Sequence, residues 1–393
     1  MRGQSPAAEI LRTLVAIPTP SSISNLPLIE WVREFLEPLG WQVELFAYRD
    51  EAGVEKANLI ARPGGALAGD FIDLAFICHT DTVPFEAGWP LATVLTEREG
   101  HLHGCGACDV KGSLACFLAA ASALRDNGIA PGVALILTAD EEIGCRGMER
   151  QLVASNLRIG AAIVSEPTSL RPGVAGKGYG LARITVTGRE AHSAFPQQGV
   201  SAISIAARLI ARLEDGFQAE GTDGLFDPPR TTLNIGVIEG GSAKNIIPGR
   251  CSFVVEWRAI PGQEQASILT YLKSMAGEAQ RAEPRARIVF ETLRAELGFA
   301  PAVGGELRER LAALLPGEPV GISFGSEASR VAPVAREVIV IGPGDMRTAH
   351  SDRECVPTAE LALWTETLGS LLGARADGEN GPDCGGIAGA LSG

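Results

Sequence analysis

Apolar positions near the start of the chain recur at helical spacing. Ile10, Leu11 and Leu14 predict a helix over 5–16, and Leu28, Ile29, Val32, Phe35 and Leu36 predict a second over 28–39. Short apolar runs follow, each closed by turn residues: WQVELFAY, NLIARPG, DLAFICHTDT, VALILTADEE and AAIVSEP. Runs of this kind read as buried strands. Between two of them, the Ala- and Leu-rich stretch from Ser113 to Asp126 predicts a helix. Strands alternating with helices predict an α/β domain with a mostly parallel sheet.

From about Gly173 the pattern changes. A strand (LARITVTG) leads to a helix (SAISIAARLIARLEDG), two strands (TTLNIGVIEG, RCSFVVEWRAI), a second helix (QEQASILTYLKSMAGEAQ) and a last strand (RARIVFETL). This β-α-β-β-α-β order is that of a ferredoxin-like α+β domain, whose helices cover one face of an antiparallel sheet and leave the other face or an edge free to pair. Beyond about residue 295 the first pattern resumes, with a helix over 304–315, the strand EVIVIGP and a closing helix from Thr358 to Leu372. The expected organisation is a catalytic domain over 1–172 and 295–373, interrupted by an inserted domain over 173–294. Residues 374–393 are Gly-rich and patternless, and a disordered tail is expected there.

Composition narrows the class of function. The chain has 393 residues, 46% hydrophobic and 21% charged, the profile of a soluble protein with a large core. Lys and Arg number 34 against 47 for Asp and Glu, a net charge of −13 that phosphate backbones would repel, and no basic run offsets it. A nucleic-acid partner is therefore not expected. No apolar run approaches the roughly 18 residues that a membrane-spanning helix needs. The N-terminus lacks a basic region leading into an apolar stretch, so the cytoplasm is the expected compartment. The eight cysteines are too sparse for a disulfide scaffold, and the lone Cys105–Cys108 pair lacks the partners of a zinc ribbon. With only five histidines, each one is worth testing.

His79 in HTDT follows the strand LAFIC, and Asp81 two residues on points to the same side, placed to fix an imidazole tautomer. A lone His at a strand end is more often structural. Asp109 in CDVKG precedes a helix, where an ordinary helix-start carboxylate is the alternative. Asp140, Glu141 and Glu142 close the strand VALILTA; such adjacent acids repel one another unless solvated or neutralised by a cation. Glu166 ends the strand AAIVS, and His350 lies in a loop after EVIVIGP. Ligands bind at strand carboxyl ends in open α/β sheets, and these motifs occupy successive strand exits. Two histidines and several carboxylates suit a dinuclear site for a borderline divalent ion, zinc first, with cobalt or manganese as alternatives. A spare carboxylate beside the ligands supplies a general base, which reads as metal-assisted hydrolysis. No cysteine has an evident His partner.

HTDT, CDVKG, ADEE, SEPT and AHSDR, in this order and spacing, resemble the motifs of the M20 metallopeptidases and deacylases, and within them the acetylornithine deacetylases. The resemblance covers residues 5 to 373. It implies a two-metal catalytic domain and an inserted lid domain that forms a homodimer. By position, His79, Glu142, Glu166 and His350 resemble terminal metal ligands, and Asp109 the carboxylate bridging both ions, often followed by a non-proline cis peptide. Asp81 matches the residue that orients the first histidine, and Glu141 the catalytic base. His192, in GREAHSAFPQQGVSAI, resembles a lid histidine that reaches across the dimer to the partner's site. Asn245 and Arg258 align with substrate-binding residues, and a guanidinium there would pair with a carboxylate. FGSEAS resembles the FGTEA-type loop of the acetylornithine deacetylases, which places Glu327 against the cationic end of an ornithine-like substrate. Arg330, Arg347 and Arg353 pull the other way, toward a more anionic one. The implied reaction is removal of the acetyl group of N2-acetyl-L-ornithine, with another N-acyl amino acid or N-succinyl-diaminopimelate as alternatives. A non-catalytic metal-binding scaffold is the alternative of another class, against which the spare Glu141 argues.

Overall fold

The run VALIL is apolar at every position, and a strand can bury both its faces only when other layers cover both. The computed structural model, which describes residues 5–64, 71–85, 88–125 and 128–373, meets that requirement. Val133–Thr138 and Phe71–His79 lie side by side and parallel, with Arg158–Val164 and then Ala335–Val340 continuing the parallel set. Trp41–Arg49 and Glu55–Pro63 extend one side antiparallel, and Gly173–Gly176 and Val320–Ile322 complete an eight-stranded sheet on the other.

Alternate side chains of the central strands enter different cores. Leu74, Phe76, Leu135 and Leu137 face helices Pro6–Ala16, Leu26–Leu36, Lys111–Leu124 and Thr358–Leu372 through Leu11, Leu14, Ile29, Leu114, Phe117 and Trp364. Ala75, Ile77, Ala134 and Ile136 face Met148 of helix Arg146–Ala154 and Val331 of the short helix Ala328–Val331. Ser5 caps the first helix by accepting from the Ala8 N–H at 3.3 Å, and Pro6 supplies its fixed φ to the first turn. The second helix ends at Leu36, and a 3₁₀ turn, Glu37–Leu39, closes on Gly40 at φ 83°.

The second sheet is antiparallel, in the order Thr232–Gly240, Arg250–Ala259, Gly178–Thr187, Arg287–Glu296. Helices Ala202–Gly216 and Gln265–Ala282 close one face over Ile184, Val186, Phe253, Val255 and Trp257. The indole of Trp257 lies so close over Gly180 that a Cβ there would sit 1.7 Å from it, which is why the position takes no side chain. The fold is thus α/β with a ferredoxin-like α+β insertion. Its start differs slightly from the sequence reading: Gly173–Gly176 pairs within the large sheet, and the second sheet begins at Gly178. The expected tail, residues 374–393, lies outside the described residues. His101 and His103 occupy the middle strand of a small ribbon with Thr96–Arg98 and Cys355–Pro357.

Candidate active site

The central strands end level. His79 pairs with Thr138, Ile77 with Val164, and Val164 with Val340, so the residues that follow converge on one edge. The connection after Phe71–His79 packs its helix on one face, and that after Val133–Thr138 packs its helix on the other. Connections diverging in this way open a crevice at the strand ends.

His79 is buried there, with Nε2 3.1 Å from Asp109 Oδ1. Its Nδ1 meets the main-chain oxygen of Asp81 at 2.9 Å, while the Asp81 carboxylate lies 3.8 Å away. That carboxylate instead accepts the N–H groups of Glu141 and Glu142 at 3.0 and 3.2 Å and the Ser21 hydroxyl at 2.7 Å. Asp81 therefore orients His79 through its main chain and holds the acidic turn with its side chain. Asp109 precedes a cis peptide to Val110, and its Oδ2 is 3.0 Å from His350 Nε2, which is 3.1 Å from Glu142 Oε2. Ligand atoms of His79, Asp109 and Glu166 lie within 4.8 Å of one another, as do those of Asp109, Glu142 and His350. Asp109 belongs to both groups.

The turn bearing Glu141 is anchored from below. Asp140, at φ 59°, is buried against Lys56 Nζ at 3.0 Å and accepts from Tyr48 at 2.9 Å. Lys56 also donates to the carbonyls of Ser21 and Ile23, both at 2.7 Å. Breaking a buried pair strands the surviving charge, so K56M is expected to lower stability by about 3–5 kcal/mol in urea unfolding of the metal-free protein. A loss under about 1 kcal/mol would show that this buried pair does not anchor the turn.

Charge is concentrated here. Burial, then Asp109 and Glu141, push Glu166 well above the usual carboxylate range. Burial likewise pushes Glu141 up to about 8, reinforced by Glu142, Glu327 and Asp81 against the pull of His79. Burial opposes the His79 imidazolium, yet Asp109 lifts its pKa well above normal. Burial also disfavours the Asp109 carboxylate, but the hydrogen bonds of His350 and His79 hold its pKa far below the usual value. Glu142 Oε1 is buried with no hydrogen-bond partner. Imidazole and carboxylate donors, packed this closely with an orphaned carboxylate oxygen among them, fit divalent cations.

A cleft of about 290 Å³ opens over this cluster, lined by Asp109, Glu141, Glu142, Glu166 and His350 on one side and by Tyr179, Arg258, Arg294 and Glu296 of the second sheet on the other. Arg258, Tyr179 and Glu296 form a cross-strand row, with the Arg258 guanidinium 4.0 Å and that of Arg294 5.0 Å from the centre of the Tyr179 ring. Sequence reasoning found Arg258 but missed its neighbours, because the row exists only once three strands are in register. His192 and Asn245 sit together, exposed, at the two-stranded ribbon Ala191–His192/Ile246–Ile247 and do not line the cleft. Glu327 is 1% exposed and does not line the cleft, although Phe324, Gly325 and Ser326 do, and its charge bears on Glu141 from beneath the surface. Nor do Arg330 and Arg347 offer free positive charge, since Arg330 pairs with Glu296 at 2.7 Å and Arg347 with Asp345.

Residues 75–374 match the model of peptidase family M20/M25/M40. An acetylornithine deacetylase from Myxococcus xanthus is 43% identical over 372 residues, covering 93% of this chain and 97% of that one. The fold is similar to that of a tripeptidase from Staphylococcus aureus, with a TM-score of 0.74 at 21% identity over 93% of this chain and 97% of that one. It is also similar to a dinuclear metal-binding M20 peptidase from Bacillus subtilis, with a TM-score of 0.65 at 17% identity over 93% and 96%.

Proposed function

The chain belongs to peptidase family M20/M25/M40, and from that premise we propose that it is a metal-dependent amidohydrolase that converts N2-acetyl-L-ornithine to L-ornithine and acetate, a step of arginine biosynthesis. The observation that carries the chemistry is Asp109, shared by two ligand groups beside a carboxylate, Glu141, that belongs to neither. The substrate follows from the likeness to the Myxococcus xanthus enzyme along nearly the whole chain.

His79, Glu166 and Asp109 would hold one ion, and Asp109, Glu142 and His350 the other; zinc suits this donor set, with cobalt or manganese as alternatives. Two such ions supply Lewis acidity toward the scissile carbonyl and lower the pKa of water in the cleft. Glu141 takes a proton from the attacking water and delivers it to the departing nitrogen. The turn that carries it is fixed by Asp81 and Asp140. Arg258, in the cleft wall, pairs with the substrate carboxylate. Glu327 is buried, and we assign it no contact with substrate.

Purified protein is expected to prefer N-acetylornithine over N-acetylmethionine and N-succinyl-diaminopimelate by at least about tenfold in kcat/KM, the scale of one well-placed contact. Chelator should abolish turnover and zinc restore it. Preference for the succinyl substrate would overturn the specificity, and chelator-insensitive turnover would overturn the metal mechanism.

We take residues 178–296 as a separate lid domain that pairs two chains, in the cytoplasm. Its edge strand Thr232–Gly240 leaves Val237 and Ile238 half exposed, which supports an interface there. His192 and Asn245 would then complete the partner's site. Inactive H192A and E141Q dimers, mixed and re-associated, are expected to recover activity that neither has alone. No recovery, or a monomer mass in light scattering, would remove this role for His192. Among the described residues no helix is long and apolar enough to cross a membrane.

A further inference from the structure

The sequence reading passed over Glu354, and the site just described does not use it. It is 2% exposed, four residues beyond His350 in the loop that brings that histidine back to the cleft. Its Oε1 accepts the main-chain N–H of Cys108 at 3.0 Å and of Asp109 at 3.1 Å, and the Gly106 N–H also bonds its carboxylate. The main-chain oxygen of Glu354 takes the N–H of Gly104. Successive amides converging on one anion form a rigid nest, here between two segments 245 residues apart in sequence. One of them carries Asp109 and the other His350.

We propose that Glu354 is a positioning residue for the metal centre: by gripping the amides of Cys108 and Asp109, it fixes the direction of the Asp109 carboxylate and the reach of His350. The inference rests on the two-metal reading above. Asp109 must present one oxygen toward His79 and the other toward His350, at 3.1 and 3.0 Å, and a loop free to rotate about its main chain would lose one of them. The grip depends on an acceptor oxygen at this place, and Gln supplies one without the charge.

Metal-free wild-type, E354A and E354Q proteins would be titrated with zinc by calorimetry, and the metal-induced rise in Tm recorded for each. E354A is expected to bind at least one equivalent about 10–100-fold more weakly, the scale of lost outer-shell support for ligands, with a smaller metal-induced rise in Tm. E354Q should bind close to wild type. Should E354A fail to fold, E354D, which keeps the charge but shortens the reach, carries the same expectation. Wild-type affinity in the Ala or Asp variant would overturn the proposal. So would E354Q as weak as E354A, since charge rather than placement would then be responsible. Wild-type protein that binds no zinc would instead overturn the two-metal reading itself.

Discussion

Replacing Glu141 by Gln is expected to lower kcat by about 10²–10⁴-fold, the contribution of a positioned general base, while metal content stays at the wild-type level. Glu141 lies in the cleft, but its side chain belongs to neither ligand group. Gln keeps its shape and its main-chain N–H to Asp81, so the turn should hold. The contact from Cys145 Sγ to Oε1 at 3.2 Å can also persist with an amide oxygen. What Gln cannot do is accept a proton. KM should move little, because the loss falls on the transition state. Steady-state kinetics with metal analysis of the same sample separates the outcomes: full activity would remove the base assignment, and lost metal would make Glu141 a ligand instead.

Much of this architecture was legible in the sequence, for a physical reason. VALILT and DLAFIC had to be two-sided strands, and that placed HTDT, DEE and SEP at one sheet edge. What escaped depends on contacts that no local pattern encodes. Helix Arg146–Ala154 (RGMERQLVA) buries little besides Met148 and Gln151, so its apolar signal is weak. Asp81 was expected to steer His79 with its carboxylate, but the chain bends so that its carbonyl makes that contact. Glu327 was expected to face the substrate because FGSEAS resembles a family loop; its side chain is buried, and spacing along a loop does not say which way a side chain faces. Glu354 escaped for a related reason: its partners are main-chain amides, which leave no mark in side-chain identity.

The second large effect is expected at Asp109. Its two oxygens face His79 and His350 separately, and it is the member shared by both ligand groups. D109A should therefore lose both ions rather than one, and with them all measurable turnover, a deeper loss than the 10–100-fold typical of an outer-shell change. H350A makes the contrast. His350 stands at the mouth of the cleft with its side chain 48% exposed and belongs to one group only, so its removal should cost a single equivalent. Zinc content after dialysis, read beside kcat for both variants, tests the difference. If D109A keeps one equivalent of zinc as tightly as H350A does, Asp109 serves a single ion and the shared-ligand geometry is wrong. If it loses both while E141Q keeps both, the two acids divide the work as assigned, one holding the metals and the other moving the proton.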